Sequence, residues 1–193
     1  QIAAGGSVEY GAVGAAKHAE LTGQICANIK LGAESGAPSA DAMYCVTASQ
    51  LWRAATEEEQ VGVIAAFGAN RAIECAEMVN AGLTDAHARA WGEALSANST
   101  LTSLNLESNG IHSAGVEAIA AGIAANTSLR QLKLANQQQP ASQAAELALA
   151  RAIEGNSKLI SVTVDLRSAQ ARELSQRALL ANVDRLRARR REL

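Results

Sequence analysis

Asparagine recurs at Asn70, Asn98, Asn126, Asn156 and Asn182, each time inside the same hydrophobic frame. The intervals are 28, 28, 30 and 26 residues, so the chain is built from repeats, which narrows its fold more than any single motif. Three residues before each asparagine stands Phe67, Leu95, Ile123, Ile153 or Leu179. Seven before stands Val63, Trp91, Ile119, Leu149 or, in the last copy, Ser175. These two offsets share one helical face, so the frame predicts that every asparagine closes an amphipathic helix. Asparagine tolerates the left-handed backbone conformation in which helices often end, and that is the role expected of it here.

After the first four asparagines the apolar period changes. Leu101, Leu104 and Leu106 follow Asn98, and Leu129, Leu132 and Leu134 follow Asn126. Leu159, Val162 and Val164 follow Asn156, while Ile73, Ala76 and Met78 follow Asn70. This is the Leu-x-x-Leu-x-Leu signature of a leucine-rich repeat, in which a short strand alternates with a helix. Small residues occupy the helix positions four before the asparagines, Ala66, Ala94, Gly122, Ala152 and Ala178, which lets neighbouring helices approach closely. One repeat cannot bury its apolar face alone, so stability comes from stacking. The fold class is therefore α/β: a short leucine-rich-repeat solenoid with parallel strands on the concave face and helices outside.

The front of the chain is read as a helical N-terminal cap over residues 1–55, with the repeat domain over 56–193. A helix is expected from about Ala12 to Ile29, with Leu21 and Ile25 placed before Asn28 as in the repeat frame. The segment from Gly32 to Ser39 reads as a loop, and Ser39 as the cap of a second helix carrying Met43, Val46 and Leu51. Thr56 and Glu59 form a capping box that starts the first clear repeat helix. Such a cap would cover the open sheet edge.

With 193 residues and 48% hydrophobic content, the chain can build one good core, and at 3% aromatic content that core is aliphatic. No run reaches the roughly 18 apolar residues of a membrane span, so no membrane insertion is expected. The chain starts at Gln1, which suggests a processed or partial sequence and leaves an organellar or secreted history open beside a cytoplasmic one. Charge is uneven. Residues 1–150 hold 7 basic and 14 acidic side chains, a net of −7, whereas residues 151–193 hold 10 basic and 5 acidic, a net of +5. Arg185, Arg187, Arg189, Arg190 and Arg191 crowd the end, either as a solvated terminal helix or as a docking patch for an acidic partner. No aromatics interleave these arginines, so nucleic acid is not expected as a partner.

Chemistry is poorly provided for. Cys26, Cys45 and Cys75 are odd in number and lack a Cys-x-x-Cys pair, which favours no disulfide framework. His18, His87 and His112 lack ligand spacing, so no metal site is expected. There is no Gly-x-Ser-x-Gly, no phosphate-binding glycine loop and no catalytic His/Asp/Glu set, which points to a non-enzymatic chain without a cofactor. Asn98-Ser99-Thr100 and Asn126-Thr127-Ser128 are glycosylation sequons, but each is also the repeat's own asparagine. Polar residues at the turns after strands are the natural contact candidates: Glu107, Ser108 and Asn109, then Asn136, Gln137, Gln138 and Gln139.

Through Leu104-Asn105-Leu106-Glu107-Ser108-Asn109, Asn126-Thr127-Ser128-Leu129 and Asn136-Gln137-Gln138-Gln139-Pro140, the sequence from about Thr84 to Leu193 resembles the C-terminal leucine-rich-repeat domain of the tropomodulin and leiomodin family. Leu104-Asn105-Leu106-Glu107-Ser108-Asn109 is like that family's LNVESN, and Asn126-Thr127-Ser128-Leu129 like its NTSL. Leu134-Ala135-Asn136-Gln137-Gln138-Gln139-Pro140 resembles its IDNQSQP, the least generic piece, and Glu146 falls where the family has a helix glutamate. Asn182 to Arg187 with Arg189, Arg190 and Arg191 is similar to NNDLVRKRR. The resemblance implies actin binding at the filament pointed end, in a cytoskeletal setting; the contact residues expected from loop position and charge are Asn109, Asn136, Gln137, Gln138 and Gln139, and Arg187, Arg189, Arg190 and Arg191. Two features depart from the family. Its tropomyosin-binding arm is not recognisable in residues 1–50, and its aromatic-rich strand is replaced by Ser161-Val162-Thr163-Val164-Asp165-Leu166. The alternative is a scaffold subunit that reuses the fold inside a larger multi-protein assembly.

Overall fold

The computed structural model describes residues 43–45 and 50–191. Five parallel strands stand side by side in chain order: β1 (Met43–Cys45), β2 (Cys75–Glu77), β3 (Ser103–Asn105), β4 (Gln131–Lys133) and β5 (Ser161–Thr163). Six helices alternate with them: α1 (Gln50–Ala54), α2 (Glu57–Ala66), α3 (Asp85–Ala97), α4 (Ser113–Ala125), α5 (Gln143–Gly155) and α6 (Ala169–Arg191). Each helix from α2 onward packs on the next, so the helices form a second layer over the sheet.

The repeat frame governs the core. Phe67, Leu95, Ile123 and Ile153 are fully buried, as are Trp91, Ile119 and Leu149 one turn earlier. Leu101, Leu104, Leu106, Leu129, Leu132 and Leu159 close the core from the sheet side. Burial loosens at the C-terminal end of the stack, where Val162, Val164 and Leu179 are only half-buried because they have one neighbouring repeat instead of two. Small residues set the helix spacing. A methyl group at Gly92 would run into the carbonyl of Ala118, and one at Gly122 would run into the Gly92 backbone.

The asparagines do something other than adopt a left-handed turn. Asn98, Asn126 and Asn156 have extended backbones, with φ of −83°, −75° and −91°. Their side chains lock one repeat to the next. The Asn126 amide donates to the carbonyls of Leu95 (2.7 Å) and Asn98 (3.0 Å), one repeat back. Its side-chain oxygen accepts from the N–H of Ser128 (2.9 Å) and Leu129 (2.7 Å), which turns the chain into β4. Asn98 makes the same four contacts with Phe67, Asn70, Thr100 and Leu101. Asn156 makes them with Ile123, Asn126, Lys158 and Leu159. Asn182 departs from the expected frame, since it lies inside α6 and does not end it, yet it still donates to Asn156 and Leu159 at 2.7 Å each. The sequon amides of Asn98 and Asn126 are consumed by this ladder.

The front of the chain needs a correction. Met43–Cys45 is a strand, paired in register with Cys75–Glu77, where a Ser39-capped helix was expected. A three-residue strand exists through its hydrogen-bonded neighbour and needs no local pattern of its own. The Thr56/Glu59 capping box forms as read, with the Thr56 N–H donating to Glu59 at 2.8 Å. Trp52 on α1 then seals the front of the core, its indole N–H donating to the Ala81 carbonyl at 2.7 Å. The helix expected from Ala12 and the Gly32–Ser39 loop lie outside the described residues.

Candidate functional site

Two rims of the solenoid carry the candidate contact residues. At the strand-end rim, chain reversal after each inner strand uses a left-handed residue: Asn80 (φ 51°), Ser108 (φ 59°) and Asn136 (φ 59°), three residues past β2, β3 and β4. A second polar ladder follows directly. Asn109 accepts from the N–H of Ala81 (2.9 Å) and Leu83 (3.1 Å) and donates to the carbonyls of Met78, Leu106 and Glu107. At 1% exposure with every polar atom engaged, the Asn109 side chain is an internal tie. Gln137 repeats that tie one repeat later, accepting from Ile111 N–H (3.1 Å) and donating to Leu106 (2.9 Å), Leu134 and Ala135. Gln137 is half-buried, and most of its hydrogen-bonding capacity is turned inward.

Asn136, Gln138 and Gln139 are exposed, and Gln138 and Gln139 with Pro140 form one wall of a cleft of ≈340 Å³. Its floor is apolar, with Ile111, Leu134 and Leu149, and its far wall is Val164 to Arg167. The cleft exists because the second ladder stops here. Where a third Asn or Gln would tie β5 back, Glu146 takes over from α5. Its carboxylate, 2% exposed, accepts from the N–H of Arg167 (3.0 Å) and Ser168 (2.7 Å), which anchors the start of α6. Asp165 adds a bond across the gap, accepting from the Asn136 N–H at 2.6 Å.

The strand-start rim carries the arginines. The inner helices have 13 residues and α6 has 23, so at ~1.5 Å per residue α6 overshoots its neighbours by roughly 15 Å. Arg187, Arg189, Arg190 and Arg191 are exposed on this overhang. They do not form one patch. At about 100° per residue, Arg185 and Arg189 share one face, while Arg187, Arg190 and Arg191 share the opposite one. Arg187 contacts Asp184 at 3.5 Å, and Arg177 contacts Glu154 at 3.2 Å. The glutamine loop and the arginines thus belong to opposite rims and are not brought together.

Sequence reasoning missed Asp165, the anchoring role of Glu146, and the basic pair Arg130 and Lys158 beside the overhang. Arg130 had a usable signal: four residues past each asparagine the frame holds Glu74, Thr102 and then Arg130. Among the described residues no helix is long and apolar enough to cross a membrane, and no group of three or more His, Cys, Asp or Glu could hold a metal ion.

Comparison with known proteins gives a consistent result. The family described as TMOD/LMOD leucine-rich domain matches residues 53–185. Among solved structures, "Leiomodin-1 Actin-Binding Site 2" is similar at 26% identity and a TM-score of 0.76, over 88% of this chain and 93% of that one. The tropomodulin C-terminal domain of Caenorhabditis elegans has the same fold at 22% identity and a TM-score of 0.76, over 89% of this chain and 99% of that one.

Proposed function

The chain belongs to the TMOD/LMOD leucine-rich domain family, and from that premise we propose that it is a non-catalytic actin-binding module acting at the pointed end of cytoskeletal filaments. The observation that carries this reading is the 26% identical structure named as an actin-binding site of leiomodin, which is matched over nearly its whole length. The chemistry is that of a binding surface. Rigid repeats hold exposed polar loops and a projecting cationic helix at fixed positions, so little ordering entropy is lost on docking.

Two surfaces make the contact. The exposed Asn136, Gln138 and Gln139 beside the apolar cleft supply hydrogen bonds around a pocket suited to an apolar side chain of the partner. The Arg187, Arg190 and Arg191 face of α6 supplies cations that steer an acidic surface. The organellar alternative raised by the absent methionine has no support among the relatives.

Co-sedimentation with actin filaments, together with pointed-end elongation in the presence of monomeric actin, tests the reading. Binding or slowed elongation at micromolar protein is expected. Combined Arg187→Glu, Arg190→Glu and Arg191→Glu substitution should weaken binding about tenfold or more, and most strongly at low salt. Absence of binding to both forms of actin would overturn it and move the chain to the scaffold role.

A further inference from the structure

The cations at the strand-start rim include a group that faces away from the proposed actin contact. Arg130, just before β4, and Lys158, just before β5, line a small cleft with Arg185 and Arg189 of α6. Ser157, Ile160, Asn182 and Leu186 complete the lining, and no carboxylate belongs to it. The nearest turns of α5 and α6 carry Glu154 and Asp184, but these are occupied by Arg177 and Arg187. Four cations therefore converge with their charge uncompensated by any lining residue.

The cleft is also partly preorganised. Asn182, 4% exposed, holds Arg185 through a 2.9 Å bond from the guanidinium to its side-chain oxygen, while its own amide is fixed to Asn156 and Leu159. Arg185 is thus anchored to the last rung of the asparagine ladder, and among the described residues its guanidinium makes no other bond. With a volume of ≈70 Å³ the cleft has room for a compact polyatomic anion and not for a folded peptide segment. A single carboxylate would balance one of the four charges. A phosphate group carries more charge and offers several oxygens that match guanidinium forks. No aromatic side chain lines the cleft for base stacking, which argues against an extended nucleic acid.

We propose that Arg130, Lys158, Arg185 and Arg189 form a phosphate-binding site at the strand-start rim, taking the phosphate of a soluble ester or of a lipid headgroup. The site is independent of the Arg187, Arg190 and Arg191 face and of the actin reading.

Titration with inorganic pyrophosphate, followed by calorimetry and by arginine side-chain NMR, tests it. Saturable binding is expected, weakened roughly tenfold by combined Arg130→Gln and Arg189→Gln and little changed by combined Arg187→Gln and Arg190→Gln. Both pairs are exposed and lie on the same overhang or beside it, so the second pair controls for net charge and folding. No saturable binding at millimolar pyrophosphate would overturn the proposal. Equal weakening by both pairs would also overturn it, since that is the signature of diffuse attraction. Vesicles containing a phosphoinositide, set against vesicles matched in charge with phosphatidylserine, then separate the sources. Capture by the phosphoinositide alone, lost in the Arg130/Arg189 variant, identifies a lipid headgroup. Pyrophosphate binding without vesicle capture identifies a soluble ester.

Discussion

Asn126 donates from its side-chain amide to the main-chain carbonyl of Asn98 at 3.0 Å, so the turn that closes one repeat is bonded to the turn that closed the one before. The same relation joins Asn98 to Asn70 and Asn156 to Asn126. The ladder runs through the interior of the helix-to-strand rim and makes the register of the whole stack cooperative. Removing a rung leaves main-chain groups of two repeats unpaired in the core.

Asn126→Ala should therefore be among the most damaging single changes. Each buried group left unsatisfied costs about 1–3 kcal/mol, and the substitution strands two carbonyls and two N–H groups, so a loss of several kcal/mol is expected. Asn182→Ala strands two carbonyls at the end of the stack and should cost less. Urea unfolding of both variants checks the order. Equal losses would mean that the ladder is not the dominant contribution of these residues.

The glycines of the helix layer separate packing from propensity. Gly122→Ala should destabilise by about 1–3 kcal/mol through overpacking against Gly92, despite alanine's better helix propensity. Gly62 has nothing within 4 Å of the added methyl, and there the same substitution should stabilise by up to about 1 kcal/mol. Thermal and urea midpoints of the two variants should move in opposite directions.

Glu146→Gln should loosen the start of α6. The amide can no longer accept from both Arg167 and Ser168 with a full charge, and bonds to charged groups contribute about 1.5–3 kcal/mol. Hydrogen exchange at the Arg167 and Ser168 amides should accelerate while the α3 and α4 amides stay protected. Uniform acceleration would indicate global destabilisation in place of local release.

His87 makes the front of the stack sensitive to pH. Its Nδ1 accepts from the Thr84 N–H at 3.1 Å, and Nε2, carrying the proton, donates to Gln60 at 2.8 Å. Burial holds its pKa below the ordinary 6.5, against the raising effect of Glu57. The native state then binds fewer protons than the unfolded chain between the lowered value and 6.5. Stability should be full above about pH 6.5 and fall as pH drops through that window. His87→Gln keeps a side chain suited to the capping box but cannot titrate, so urea unfolding near neutral and at mildly acidic pH should show a smaller difference in the variant.

How much of this was legible in the sequence depends on whether a residue's partner lies within its own repeat. Leu104, Leu132 and Ile123 are core positions because of local periodicity, and periodicity is written in order along the chain. The Thr56/Glu59 cap is likewise a contact over three residues. The inward ties of Asn109 and Gln137 were not legible because the groups they bond lie up to 31 residues away and are main-chain atoms, which carry no sequence signal.

The sequence by itself determined the repeat, its length, the alternation of strand and helix, and the aliphatic core, since all of these follow from side-chain spacing and the burial it demands. Only the tertiary structure decided the rest. Stacking gave the helix-ending asparagines Asn98, Asn126 and Asn156 a second role as ladder rungs, in extended conformation. Pairing with Cys75–Glu77 made Met43–Cys45 a strand. The overhang of α6 split one run of arginines into two opposed faces and brought Arg130 and Lys158 up to one of them. Each of these depends on where another repeat places its backbone, which is known only once the stack is assembled.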